Sequence, residues 1–499
     1  MTYAAAEARF RELGNLGDAS SMLKWDEAVM MPAGGGEARA RVMATLAGLH
    51  HDRLAAPEVA DWLAAAEADA DGLDAWQRAN LREMRRSWRD AAALPGDLVR
   101  AHSLARSRCE HAWRTARGRN DWQGVLPLLE ELMGLTRAQA QALAEPQNLP
   151  AYDALVARFQ PGIAVATIDR LFGELRRVLP PLVDRVIGAQ AAPTPVPGGF
   201  EIPVQKALAE TLMRQLGFDF EHGRLDVSHH PFCGGVPDDV RMTTRYADDG
   251  ILDAQMAVIH ETGHALYNQA LPAAWRTLPV GKAAGMAVHE SQSLTMEMQV
   301  GRSRPFLAWA APVIEAALTG RVGGDGAFSA DNLWRLATHV ERGLIRVDAD
   351  ELTYPLHVIL RFEMEKRLID GSLAVADLPE AWDASMREML DLSTGDDHRD
   401  GVMQDVHWFA GLVGYFPSYT LGAVMAAQFF DATRAAVPDI EDAIGRGEIA
   451  PLREWLRTEI HGRGSLLEMT DLLVAVTGRG LDVAPYVAHL ERRYVARAW

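Results

Sequence analysis

Apolar positions recur at intervals of three and four along most of this chain, the spacing that turns one face of an α-helix towards a core. The pattern predicts helices over 1–14, 37–50, 57–70, 73–92, 97–118, 122–144, 148–158 and 165–190, separated by Gly, Pro or Asp. Ala191 to Gly199 (AAPTPVPGG) reads as a connector, after which helical spacing resumes over Pro203–Leu216. Gly34-Gly35-Gly36 has no preceding strand and no following Gly-Lys-Ser/Thr, so it reads as a turn into the next helix, not a phosphate loop. One stretch breaks the helical pattern. Within 225–250, Val240, Met242, Thr244 and Tyr246 alternate with Arg241, Thr243 and Arg245, a period of two that predicts a short hairpin with an edge strand. An edge strand would let an extended peptide pair with its backbone, and a purely structural hairpin fits the pattern equally well.

The chain has 499 residues and 48% hydrophobic content, enough for a large core, and its Leu, Ala, Met, Glu and Arg usage favours helix. The net charge of −18 argues against nucleic acid or an anionic membrane as partner. Cys109 and Cys233 are the two cysteines, too few for a disulfide scaffold, and they make no CxxC pair, which excludes a structural cysteine–zinc site. The first residues form a charged amphipathic pattern without an apolar signal region, and no window reaches 18 continuous apolar residues. The expected address is cytoplasmic.

The most informative segment is ILDAQMAVIHETGHALYNQA, residues 251–270. On a helix, His260 and His264 lie one turn apart on one face, about 5–6 Å between their side-chain origins, a gap that one metal ion closes. Glu261 projects from the neighbouring face, within reach of a metal-bound water but poorly placed to be a ligand. Apolar neighbours (Ile251, Leu252, Met256, Val258, Ile259, Ala265, Leu266) predict a buried helix, where an unpaired His-Glu-His set costs several kcal/mol. Two imidazoles and one carboxylate in this order suit a metal-dependent hydrolase. The expected third ligand is Glu290, in MAVHESQSLTMEMQV, 26 residues after His264. Its neighbour His289 is the rival, turned about 100° away on the same helix. A His, His, Glu set suits zinc and leaves a position open for water.

Beyond this segment the chain resembles a known family. His230-Pro231-Phe232, Asp239-Val240-Arg241-Met242-Thr243, His260 to His264, His289-Glu290-Ser291-Gln292 and Gly401-Val402-Met403-Gln404-Asp405-Val406-His407-Trp408 occur in the order seen in the carboxypeptidase Taq family. Trp25-Asp26 with Met31-Pro32-Ala33-Gly34-Gly35 is similar to that family's beginning. The resemblance spans nearly the whole chain. It implies a mainly α fold: a single large helical domain over 1–499 with a deep active-site groove and a small β-sheet near the metal, a gluzincin-type site, and a homodimer. Within that domain an N-terminal helical part covers about 1–190 and a metal-site part about 200–499. It also implies a zinc metallocarboxypeptidase that releases single C-terminal residues from peptides, with one zinc per chain and cobalt or manganese as substitutes.

Site chemistry then assigns roles. Glu261 is the general base that takes a proton from the zinc-bound water. A second electrophile for the oxyanion is expected from His407, Tyr415 or Tyr419 in QDVHWFAGLVGYFPSYTLG, each of which is also readable as packing. An exopeptidase must recognise a free α-carboxylate, a task suited to a guanidinium. Arg346, set among apolar neighbours, matches the arginine to which the resemblance gives this work; the structural alternative is an ion pair with Asp348 or Asp350. Arg241 is the second choice, with the alternative of orienting Asp239. His230, in the first of the family motifs, joins the substrate-binding set. The rival readings are a related helical zinc oligopeptidase or dipeptidyl carboxypeptidase, and a non-catalytic scaffold keeping zinc for structure.

Overall fold

The computed structural model describes residues 2–496 apart from 229–230, 247–249 and 322–325. His230 therefore lies outside the described residues. The chain forms two compact units, each drawn from three stretches of sequence. One comprises Met1–Ala91, Ala191–Thr338 and Met425–Leu481; the other comprises Ala92–Gln190, His339–Val424 and Asp482–Trp499. Among the described residues no helix is long and apolar enough to cross a membrane.

The first unit opens on a helix, Thr2–Val29, twice as long as the pattern of 1–14 predicts. Tyr3, Phe10 and Leu13 on this helix pack with Val59, Leu63, Leu81 and Met84 into one apolar cluster. Ala33–Gly35 forms a single 3₁₀ turn leading into the helix Gly36–Leu54, as expected of the glycine run. The sheet lies in this unit and has three strands: β1 (Gly223–Val227), β2 (Phe232–Val236) and β3 (Asp239–Thr244). β2 and β3 form the expected antiparallel pair. β3 is nevertheless not an edge strand. β1 pairs with it in parallel on its other side, giving the order β1-β3-β2. Burial of Val240, Met242, Thr243 and Thr244 on β3 follows from that central position.

Val240 and Met242 pack on Val258 and Ala265 of the helix Ile251–Gln269, with Ala209 and Met213 behind them. This histidine helix also meets the helix Met286–Leu294, and the meeting is unusually close. A methyl group added at Gly263 would lie 2.4 Å from the Gln292 carbonyl oxygen and 2.6 Å from the Ser293 Cα. Only hydrogen fits there. Gly285, at φ 101°, begins the second helix in a conformation that residues with a Cβ rarely adopt.

In the second unit Gly96–Gly118 packs on Trp122–Ala144, whose first turn is capped by the Asp121 carboxylate accepting from the Gly124 N–H. The helix Tyr354–Asp370 is buried along most of its length, including His357, Arg361 and Glu365. Just before it, Glu351 accepts from Arg493 at 3.0 and 2.8 Å and from the Tyr494 hydroxyl at 2.6 Å, tying the C-terminal helical segment to this region.

Gly263→Ala tests the close helix approach. In a free helix this change gains about 1 kcal/mol. Here the clash is with backbone that cannot rotate away, so the sign reverses and the cost is about 1–3 kcal/mol or more. Thermal melting of the metal-free protein reads it as a drop of several degrees, and an unchanged or higher melting temperature contradicts the packing described.

Candidate metal centre

The histidine helix places the His260 and His264 rings edge to face, centroids 5.0 Å apart at 83°. Each ring is fixed through its Nδ1. His264 Nδ1 lies 3.0 Å from the backbone carbonyl of His289, a group that can only accept, which selects the Nδ1–H tautomer when the ring is neutral and leaves Nε2 for a metal. His260 Nδ1 lies 2.8 Å from Glu297 Oε2, which selects the same tautomer when the ring is neutral. Both Nε2 atoms turn towards Glu290, at 3.9 Å from His260 and 3.4 Å from His264. Ligand atoms of these three residues lie within 4.8 Å of one another. Tetrahedral zinc with bonds of about 2.0–2.2 Å needs ligand atoms about 3.3–3.5 Å apart, so this set fits a small divalent ion with little movement.

Glu261 lies beside them, buried, and its Oε2 has no hydrogen-bond partner among the described residues. Burial pushes its pKa up, against the pull of His260 and His264. An orphaned, desolvated carboxylate oxygen is costly in a structural site and useful in a reacting one. Burial would lower His260, yet its hydrogen bond to Glu297 and the charges of Glu290, Glu297 and Glu261 hold the metal-free imidazolium up to about 9.

His289, the rival ligand, takes no part in the cluster. Its ring stacks on His264 at 4.5 Å and its Nε2 meets Asn268 Oδ1 at 3.0 Å. Burial and the neighbouring histidines hold it well below the ordinary histidine range, so it stays neutral. Glu297 was invisible to pattern reading. It lies in a π-helical segment, Thr295–Gly301, that continues the helix carrying Glu290. Residues five apart on an α-helix face about 140° away from each other. The wider π turn, closed by the Arg302 N–H on the Glu297 carbonyl at 2.9 Å, brings the Arg302 side chain onto Glu297 at 2.8 and 3.1 Å. Burial would raise Glu297, but the Arg302 charge and the His260 bond hold it down at about 2. His260 is thus backed by a permanently ionised carboxylate.

Arg241 is on β3 and binds its strand neighbour Asp239 through two bonds of 3.0 and 2.7 Å, with Trp25 stacked 4.5 Å from the guanidinium. This arrangement is the orienting alternative of the sequence reading.

The second unit gathers the remaining candidates. Arg346 does not pair with Asp348 or Asp350, the expected structural partners. Asp350 instead accepts from the backbone of Leu352 and Thr353. Arg346 Nε and Nη2 grip Asp405 at 2.9–3.2 Å, and Asp405 also receives Arg361 Nε at 2.8 Å. The two guanidiniums drive Asp405 far below the carboxylate range, overcoming its burial. Arg361, desolvated, falls to about 10. One carboxylate between two guanidiniums leaves a surplus positive charge, with the Tyr419 ring 4.8 Å from Arg346 and the Trp382 ring 4.5 Å from Arg361. Nη1 of Arg346 takes no part in the grip on Asp405. His407 Nε2 meets the Tyr419 hydroxyl at 2.9 Å, and the Tyr415 and Tyr419 rings are edge to face at 5.3 Å. Burial, with the nearby arginines, lowers His407 to about 3 and keeps it neutral. Sequence reading missed Arg361 and the pairing role of Asp405, which lie 15 and 59 positions beyond Arg346 and share no periodicity with it.

Comparison with known proteins gives a consistent result. A family model described as carboxypeptidase Taq (M32) metallopeptidase matches residues 5–494. The chain is 39% identical to thermostable carboxypeptidase 1 of Thermus thermophilus over 97% of each sequence. It is 30% identical to carboxypeptidase 1 of Bacillus subtilis, over 97% of this chain and 96% of that protein. Among solved structures, metallocarboxypeptidase 1 of Trypanosoma cruzi superposes with a TM-score of 0.96 at 38% identity, covering 99% of both chains. An M32 carboxypeptidase from Deinococcus radiodurans superposes at 0.93 with 35% identity, covering 99% of this chain and 98% of that one.

The Glu297 contact predicts a specific defect. Glu297→Ala leaves the candidate ligands His260, His264 and Glu290 in place but frees the His260 ring, so metal affinity is expected to fall about 10–100-fold. Competition against a calibrated chelator measures this without any assay of activity. In the parent, metal displaces the proton held by His260, so apparent affinity weakens as pH falls below about 9. Parental affinity in the variant removes Glu297 from the site.

Proposed function

The chain belongs to the carboxypeptidase Taq (M32) metallopeptidase family, and from that premise we propose that it is a zinc carboxypeptidase releasing single residues from the free C-termini of peptides. The observation that carries the reading is the convergence of His260, His264 and Glu290 beside a buried Glu261 whose Oε2 is unpaired. His260, His264 and Glu290 would hold the zinc, which would supply Lewis acidity, lowering the pKa of a water towards about 7 and polarising the scissile carbonyl. Glu261 accepts the proton of that water and passes it to the leaving amine. Its raised pKa makes it a carboxylate suited to giving the proton back.

Arg346 is assigned the terminal carboxylate. Asp405 occupies its Nε and one side of Nη2, which leaves Nη1 and the second Nη2 hydrogen for an end-on, two-pronged bond. The surplus positive charge of the Arg346–Asp405–Arg361 group favours an anion there. His407, neutral, and the hydroxyls of Tyr415 and Tyr419 are the proposed partners of the oxyanion. The homodimer rests on family resemblance, and light scattering of the purified protein checks it.

Three measurements test this reading. Glu261→Gln keeps the metal but cannot take the proton, so turnover falls by at least a thousandfold, on the order of a lost general base together with the misplaced water. Retention of activity within tenfold contradicts the mechanism. Arg346→Ala lowers kcat/KM on free-acid peptides by about 30- to several-thousand-fold, equivalent to about 2–5 kcal/mol, while metal content holds. C-terminally amidated peptides are poor substrates for the parent and little worsened by the change; equal cleavage of both by the parent favours an oligopeptidase. Mass analysis of the product ladder separates single-residue steps from the dipeptide steps of a dipeptidyl carboxypeptidase.

A further inference from the structure

Glu365 stands on the helix Tyr354–Asp370 and is fully buried. Its carboxylate accepts three hydrogen bonds. The Tyr152 hydroxyl reaches Oε2 at 2.6 Å, the Gly414 N–H reaches the same oxygen at 2.9 Å, and the Trp408 indole N–H reaches Oε1 at 2.9 Å. Arg361, one turn earlier on the helix, gives its bonds to Asp405 and to the His357 carbonyl. Burying a carboxylate costs several kcal/mol that an apolar side chain of the same size avoids.

Two of the three donors bracket one loop. His407 immediately precedes Trp408, and Tyr415 immediately follows Gly414. The loop closes on itself through the Leu412 N–H to the His407 carbonyl at 2.8 Å. Gly414 has φ 91°, and a Cβ there would come within 2.9 Å of the Leu155 and Val156 backbone. The loop is pressed against that backbone at one end and pinned by an indole at the other.

We propose that Glu365 is a positioning residue for peptide hydrolysis: through Trp408 and Gly414 it fixes both ends of the loop from which His407 and Tyr415 project. This rests on the reading in which His407 and Tyr415 act on the substrate. Burial pushes Glu365 up to about 7, against the pull of its three donors and Arg361. Above that pH the carboxylate suits the task because it accepts at both oxygens and presents no donor of its own. Glutamine cannot replace it. With its NH₂ in the Oε2 position the Tyr152 hydroxyl can turn to accept, but the Gly414 N–H faces a donor. With the amide flipped, the Trp408 N–H faces a donor instead. One end of the loop is released in either case.

The test uses the full-length, metal-loaded enzyme. Glu365→Gln is expected to lower kcat on a free-acid peptide about 10–100-fold, the scale of a catalytic group displaced by about 1 Å, with KM within about threefold and metal content unchanged. Hydrogen exchange over 406–416 quickens at least about tenfold. Tyr152→Phe removes the one donor outside the loop; it lowers the melting temperature but keeps kcat within about twofold. If Glu365→Gln fails to fold, Trp408→Phe, which keeps a ring and loses the N–H, shows the same kcat loss and loop exchange in milder form. Parental kcat in Glu365→Gln overturns the proposal, whether or not the loop loosens. So does a kcat that falls in Tyr152→Phe as far as in Glu365→Gln, because stability alone then explains both. Full activity in both His407→Ala and Tyr415→Phe overturns the reading of the loop, and the proposal with it.

Discussion

The candidate metal cluster depends on a place where two helices touch backbone to backbone. Because Gly263 carries no side chain, the histidine helix settles against Gln292 and Ser293, two and three residues beyond Glu290. That contact sets the separation of the two imidazoles from the carboxylate. Of the neighbouring groups, His289 is kept uncharged by burial, and Glu297 is matched by Arg302. Glu261 is the exception, with one oxygen left unpaired.

The second unit solves a similar problem with opposite charge. Arg346 and Arg361 share Asp405, and rings of Tyr419 and Trp382 lie over the guanidiniums, softening the cost of burying them. His407 stays neutral beside them, which avoids a third positive charge. The remaining imbalance is a pull on anions that an exposed arginine, screened by water and salt, would exert only weakly.

Much of this was legible from sequence because it depends on short periodicities. The helices and the placing of His260, Glu261, His264 and Glu290 follow from the three-and-four spacing within single segments. What was not legible depends on partners far along the chain. Alternation in 240–246 announces a strand but says nothing of its neighbours. β1 follows a helix and joins β3 from its far side, so the expected edge became the centre. Arg346 was matched with acids two and four residues away, whereas its partner is Asp405, reached only when the helices Tyr354–Asp370 and Leu378–Leu390 and the turns after them fold back. Glu297 and Arg302 stand at a spacing that no α-helical template pairs.

That last spacing has a consequence for how such proteins diverge. A π-helical turn is an α-helix holding one residue too many, so Thr295–Gly301 is a place where a single codon loss would restore ordinary winding. The backbone would accept the deletion readily. The pairing of Arg302 with Glu297 would not survive it, and the carboxylate behind His260 would be left without its anchor. A descendant carrying that deletion would keep every hallmark by which the lineage is recognised, the two histidines and both glutamates included, while holding its metal more loosely. Reading frame length in this seven-residue window is therefore as much a part of the enzyme's inheritance as the motif upstream of it.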